Sequence, residues 1–109
     1  ELEPLGIRVR IVQPGMIRTN FGGSSFDFAL DENLPEYAPM AEAMGRLFGK
    51  LATNLSAPET VAQVIWDAAH ETGSRLRFRA GPDAEELLDA RKQQDDETFI
   101  GGLKQKMEP

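Results

Sequence analysis

The stretch GIRVRIVQPGMIRTNF, Gly6 to Phe21, holds the groups of this chain best suited to receive a ligand. Its first half alternates apolar and basic residues like a strand, and Pro14 with Gly15 then breaks the run. Proline offers no backbone donor and fixes φ, so a ladder stops there. Glycine has no Cβ, so a flat ring can approach the main chain at Gly15. Met16 and Ile17 are expected to leave free N–H and C=O groups past the carboxyl end of the strand, where open α/β sheets bind their ligands. Thr19 adds a hydroxyl able both to donate and to accept. An aromatic ring bearing an amide would match that set. Strand followed by Pro-Gly is also common turn chemistry, so the motif alone does not decide.

Other chemistries find less support. His70 is the one histidine, near the end of a helical pattern and with no Ser or Cys nucleophile paired to it in sequence. It reads as a surface residue or a partner of the helix C-terminus. Asp95, Asp96 and Glu97 adjoin one another, so on a helix they diverge, and they suit a helix N-terminus better than a metal. No metal site is expected. FGGSSF lacks both the spacing and the lysine of a phosphate-cradling loop. With no cysteine, a disulfide, a zinc ribbon and a thiol nucleophile are all excluded.

The elements that must position the turn can be traced along the chain. ELEPLG ends on a helix-stopping Gly6, with Leu2 and Leu5 on one face. Ile7 to Val12 is the expected strand, though Arg8 and Arg10 suit a buried parallel strand poorly. The strand is therefore expected near one side of its sheet, its arginines at a solvated edge or a subunit boundary. From Phe21 to about Leu51 the chain first runs through Gly, Ser, Asp, Asn and Pro with Phe21, Phe26 and Phe28, a composition that suits a binding loop or lid. These phenylalanines either line a pocket or pin the loop to the core. Glu36 to Leu51 then carries Met40, Ala43, Met44, Leu47, Phe48 and Leu51 at helical spacing, a stripe that serves as core or as a pocket wall. SAPETVAQVIWDAAHETG reads as a helix opened by a Ser56–Glu59 capping box with Pro58 in its first turn and stopped by Gly73. Trp66 sits beside its apolar stripe, at a helix or subunit contact. A short strand from Arg75 to Arg79, a helix from Pro82 and one more short helix weakened by Gly101 and Gly102 complete the chain.

The 109 residues suffice for one small domain. The net charge of −6 argues against nucleic-acid partners, which need a basic face. No apolar run is long enough to span a bilayer, so no membrane partner is expected. The lack of cysteine fits a reducing, cytoplasmic setting. The chain does not begin with Met and opens on what reads as the last turn of a helix, so upstream sequence is expected.

Taken in order, LEPLGIRVRIVQPGMIRT resembles the C-terminal part of the short-chain dehydrogenase/reductase family: the end of the long helix after its catalytic Tyr and Lys, the sixth strand, and its Pro-Gly-x-Ile/Val-x-Thr loop. SAPETVAQVIWDAA resembles the helix before the last strand of that family. RLRFRAGPDAEELLDARKQQDDETF is similar to the tail of the branch acting on hydroxysteroids, retinoids and related alcohols or ketones.

The resemblance implies an α/β fold, the C-terminal part of a doubly wound parallel Rossmann-type sheet with about two strands and four to five helices. Residues 1–109 would be part of one dinucleotide-binding domain, and 20–51 its substrate-binding loop and helix. It further implies NAD or NADP as cofactor, bound by Pro14, Gly15, Ile17 and Thr19. The substrate would be an apolar secondary alcohol or carbonyl compound, in a pocket touched by Met16, Phe21, Phe26 and Met44. A homodimer or homotetramer is expected.

No catalytic residue is assigned to these 109 residues. The sole tyrosine, Tyr37, is followed four places later by Ala41, so the Tyr-x-x-x-Lys pair is absent, as is the Gly-x-x-x-Gly-x-Gly turn. Without that Tyr no group here moves the proton of the carbonyl. Two alternatives stay open: a non-catalytic interaction module of the same fold, and another doubly wound domain, such as a methyltransferase-like one, with no nicotinamide affinity.

Overall fold

RFRA, Arg77–Ala80, places Phe78 and Ala80 on one face and Arg77 and Arg79 on the other, the two-residue period of a strand with one buried side. This strand (β2) pairs in parallel with IVQP, Ile11–Pro14 (β1), in the register Ile11↔Arg77 to Pro14↔Ala80. The computed structural model describes residues 1–109 apart from Phe28. Parallel neighbours need a crossover between them. It runs through α1 (Ala38–Leu51) and α2 (Pro58–His70), and α3 (Pro82–Gln93) and α4 (Asp96–Met107) follow β2. Two parallel strands with four α-helices among the described residues make this an α/β chain.

The helices sort into two groups. α2 packs on both strands and α3 on β2, whereas α1 packs against α4. Arg46 Nε donates to the Met107 carbonyl at 2.7 Å and Lys50 Nζ to that of Glu108 at 2.9 Å, so α1 supplies cations to the negative end of α4. At the other end of α4, Asp95 caps the helix by accepting the Thr98 N–H at 2.8 Å. Hydrogen bonding from the Thr98 side chain, and then from its N–H, holds the Asp95 carboxyl below its usual range.

Several element bounds differ from the expected ones for identifiable reasons. The strand expected over Ile7–Val12 pairs only from Ile11, and before it the side chains of Arg8 and Arg10 reach across to the carbonyls of the α2–β2 connection. Arg10 Nη2 donates to Gly73 O at 2.8 Å and to Glu71 O at 3.4 Å, and Arg8 Nη1 to Thr72 O at 3.3 Å. The two arginines thus tie down the α2–β2 connection of their own chain. β2 starts two residues later than expected and reaches Ala80. Pro14 does not stand outside the ladder but ends it from within, and the Gly15 N–H carries the pairing one step further to Ala80 O at 2.9 Å.

α1 begins at Ala38 rather than Glu36, after a 3-10 turn over Pro35–Tyr37. The Ser56–Glu59 capping box does not form. α2 starts at Pro58 after Ala57 with no side-chain cap, because Ser56 pairs with the segment after β1 instead. α2 ends at His70, and Gly73 lies in the connection beyond, its N–H held by Glu71 Oε1 at 2.8 Å.

Candidate functional site

The segment after β1 is pinned from two directions. Met16 N–H donates to Asp83 Oδ2 at 2.6 Å, while Met16 O accepts from Ser56 N at 3.0 Å and Arg18 N donates to Ser56 O at 2.9 Å. The last two bonds make Ile17 and Ser56 an isolated parallel bridge. In such a bridge the residues flanking Ile17 carry the hydrogen bonds, so its own N–H and C=O point the other way. Among the described residues no hydrogen bond uses them. The expectation of free groups at both Met16 and Ile17 therefore needs correcting: Met16 is fully engaged, and Ile17 alone keeps both.

Gly15 also differs from its expected role as an open face. A Cβ placed there would fall inside the Asp83 carboxylate. The missing side chain makes room for Asp83, and this explains the glycine without a ligand. Gly81, at φ 109°, lies by the same carboxylate, and a Cβ there would stand 2.9 Å from Asp83 Oδ1 and 3.1 Å from Ser56 Oγ. Neither Asp83 nor Ser56 stood out as a site residue in sequence. The one signal was that Gly-Pro-Asp at the start of α3 mirrors Pro-Gly-Met after β1.

Thr19, exposed, opens the 3-10 turn Asn20–Gly22, and its Oγ1 accepts the Phe21 N–H at 3.3 Å. An oxygen used as acceptor leaves the hydroxyl hydrogen available to donate. Phe21 and Phe26 meet edge to face, ring centroids 5.8 Å apart, and both stay exposed. They pair with one another over the loop, and Phe28, the third phenylalanine of that stretch, lies outside the described residues. Met44 is half-buried on α1, whose main helical partner is α4, so the structure gathers Pro14 to Thr19 on one segment and leaves Met44 on another unit. Two surface clefts lie elsewhere, one between Ile7–Arg10 and Thr72–Leu76 and one among the side chains of β2 and α3.

Several titratable groups elsewhere are engaged by structural partners. His70 Nδ1 bonds the Trp66 carbonyl at 2.8 Å and its ring stacks on Trp66 at 4.1 Å, which occupies it at the end of α2. Arg79 is bound by Asp89 at 2.6 Å and Glu85 at 2.9 Å, and these acids raise its pKa above the ordinary guanidinium value. Arg91 meets Asp96 at 2.6 Å. Among the described residues no group of three or more His, Asp or Glu side chains is placed to hold a metal. No helix among them is long and apolar enough to cross a membrane.

Two curated relatives from Schizosaccharomyces pombe, both named as uncharacterized oxidoreductases, are each 29% identical over 110 residues. The match covers 98% of this chain and 44% of each relative. Oxidoreductase BOA17 of Botryotinia fuckeliana is 29% identical over 86 residues, 79% of this chain and 31% of its own length. This chain is similar to oxidoreductases. It spans less than half the length of the curated relatives it matches. No protein-family model and no solved structure matches it.

Proposed function

We propose that these residues form the nicotinamide-side loop and part of the substrate pocket of an NAD(P)-dependent oxidoreductase of the short-chain dehydrogenase/reductase type. The observation carrying the proposal is the pair of unused backbone groups on Ile17, two residues from the Thr19 hydroxyl. A carboxamide has one acceptor oxygen and two N–H donors. Ile17 N–H and the Thr19 hydroxyl suit the oxygen, and Ile17 C=O suits the amide nitrogen. The bound nicotinamide would exchange a hydride with the carbon of a secondary alcohol or carbonyl. The residues named here would orient the ring, whereas the proton would move through a tyrosine these 109 residues do not supply. Pro14 and Gly15 support the reading indirectly, by ending β1 and seating Asp83. Phe21 and Phe26 offer an exposed apolar surface next to Thr19 in sequence, which suits an apolar substrate.

A second reading, a non-catalytic interaction module, draws on the large apolar side chains left exposed, Trp66 (63%) and Phe48 (52%) among them. Titration of this chain, and of the polypeptide that carries it, with NADH and with NADPH separates the two. An enhanced, blue-shifted nicotinamide emission that saturates supports the oxidoreductase reading. Unchanged emission with both cofactors in both proteins eliminates it.

A further inference from the structure

We propose that Asp83 is the positioning residue of this loop: its carboxylate fixes Met16 so that Ile17 must present its backbone to the ligand. The inference rests on the nicotinamide reading of Ile17 and Thr19 and adds to it a residue from the far end of the chain.

Asp83 is the second residue of α3, where the positive end of a 12-residue helix favours a carboxylate. Its Oδ2 takes the Met16 N–H in a short hydrogen bond of 2.6 Å. Its Oδ1 is buried and has no hydrogen-bond partner among the described residues. A buried carboxylate oxygen left unpaired is unfavourable, so fold stability alone does not account for an acid here. The chain makes room for it twice, at Gly15 and at Gly81, where any larger residue would press on the carboxylate.

These contacts restrict the loop. Asp83 holds residue 16 through its N–H, and Ser56 holds 16 and 18 through a carbonyl and an N–H. With both neighbours fixed, Ile17 has no freedom to turn its N–H and C=O inward. Removing the Asp83 acceptor frees the Met16 N–H and lets the peptide rotate. Affinity for the ring falls because the binding geometry is no longer preorganised.

The test compares Asp83→Ala, Asp83→Asn and, as a control in the same helical turn, Glu85→Gln. Amide NMR and titration with the reduced dinucleotide are applied to each. In the unsubstituted protein the Met16 amide proton should resonate far downfield and exchange slowly. Asp83→Ala should move it upfield, speed the exchange of Arg18 and Ser56, whose N–H groups close the bridge to this segment, and weaken dinucleotide binding about ten-fold. Asp83→Asn, which keeps a neutral acceptor, should fall between, and Glu85→Gln should match the unsubstituted protein in all three readouts.

The amides of Phe78 and Ala80 report folding, and if Asp83→Ala loses their protection then Asp83→Asn carries the test. A Met16 amide or a dinucleotide affinity unmoved by loss of the acid overturns the inference. Failure of the unsubstituted chain, and of the polypeptide that carries it, to bind either dinucleotide overturns the nicotinamide reading instead. In that case the Arg18 and Ser56 exchange rates still decide whether Asp83 sets the loop: acceleration upholds it and no change overturns it.

Discussion

Thr19 caps the turn Asn20–Gly22 through its hydroxyl oxygen, and in the proposed site the hydroxyl proton would go to the ligand. Thr19→Val removes both while preserving shape. It should weaken reduced-dinucleotide binding by about one hydrogen bond, ~1 kcal/mol or roughly five-fold, and Thr19→Ser should restore most of it. Equal affinities for Val and Thr, measured by nicotinamide fluorescence, would remove Thr19 from the site. Asp95 makes a different test, of pH. Its carboxyl is held below the ordinary value by the Thr98 side chain and N–H, so its ionised form favours the folded α4. That stabilisation is complete above the unfolded carboxylate pKa and is lost as pH falls through the lower folded value. Acidification below the ordinary carboxylate range should therefore fray α4 from its first turn, seen as faster exchange at Thr98 and Phe99. Asp95→Ala should show the same fraying already at neutral pH.

Among the elements, β1 and β2 contribute most to the site because their carboxyl ends bring Gly15, Gly81 and Asp83 together. The helix starts at Pro82 and Pro58 were legible in sequence, since proline at the first helical position carries its own signal. The capping box at Ser56 was misleading. Its pattern is local, and the bridge to Ile17 is a competing use of the same residue that only the fold makes available. Arg8 and Arg10, just before β1, mislead in the same way, since the acceptors they reach at Glu71, Thr72 and Gly73 lie more than sixty residues away. Gly6 behaves as its sequence suggests, ending the turn Glu3–Leu5 at φ 72°.

On the scale of the molecule, the chain buries little. Its radius of gyration is 17.6 Å, against about 13 Å for a compact chain of this length. Its accessible surface is 8665 Å², against about 6,000 Å² for a folded monomer of this mass. The buried apolar residues described are Leu47, Ala68, Phe78, Ala80 and Ala84, of which three are alanines. Such a core stabilises weakly, and the two-stranded sheet leaves one side of each strand unpaired among the described residues. The chain should therefore bind the dye ANS at neutral pH and melt over a broad range. Phe78→Ala, which removes the largest buried side chain at a cost of about 3–5 kcal/mol, should abolish any cooperative transition seen by circular dichroism. A sharp melt without dye binding would contradict this picture.

The sequence by itself determined the α/β class, the order of the elements and the position of the turn after β1, because periodicity, proline and glycine act over a few residues. Tertiary structure decided how that turn is held. Residues 15, 17, 56, 81 and 83 meet only when β1 and β2 pair in register. Hydrogen bonds between such distant positions leave no mark on local spacing, and they alone separate the engaged backbone of Met16 from the free backbone of Ile17.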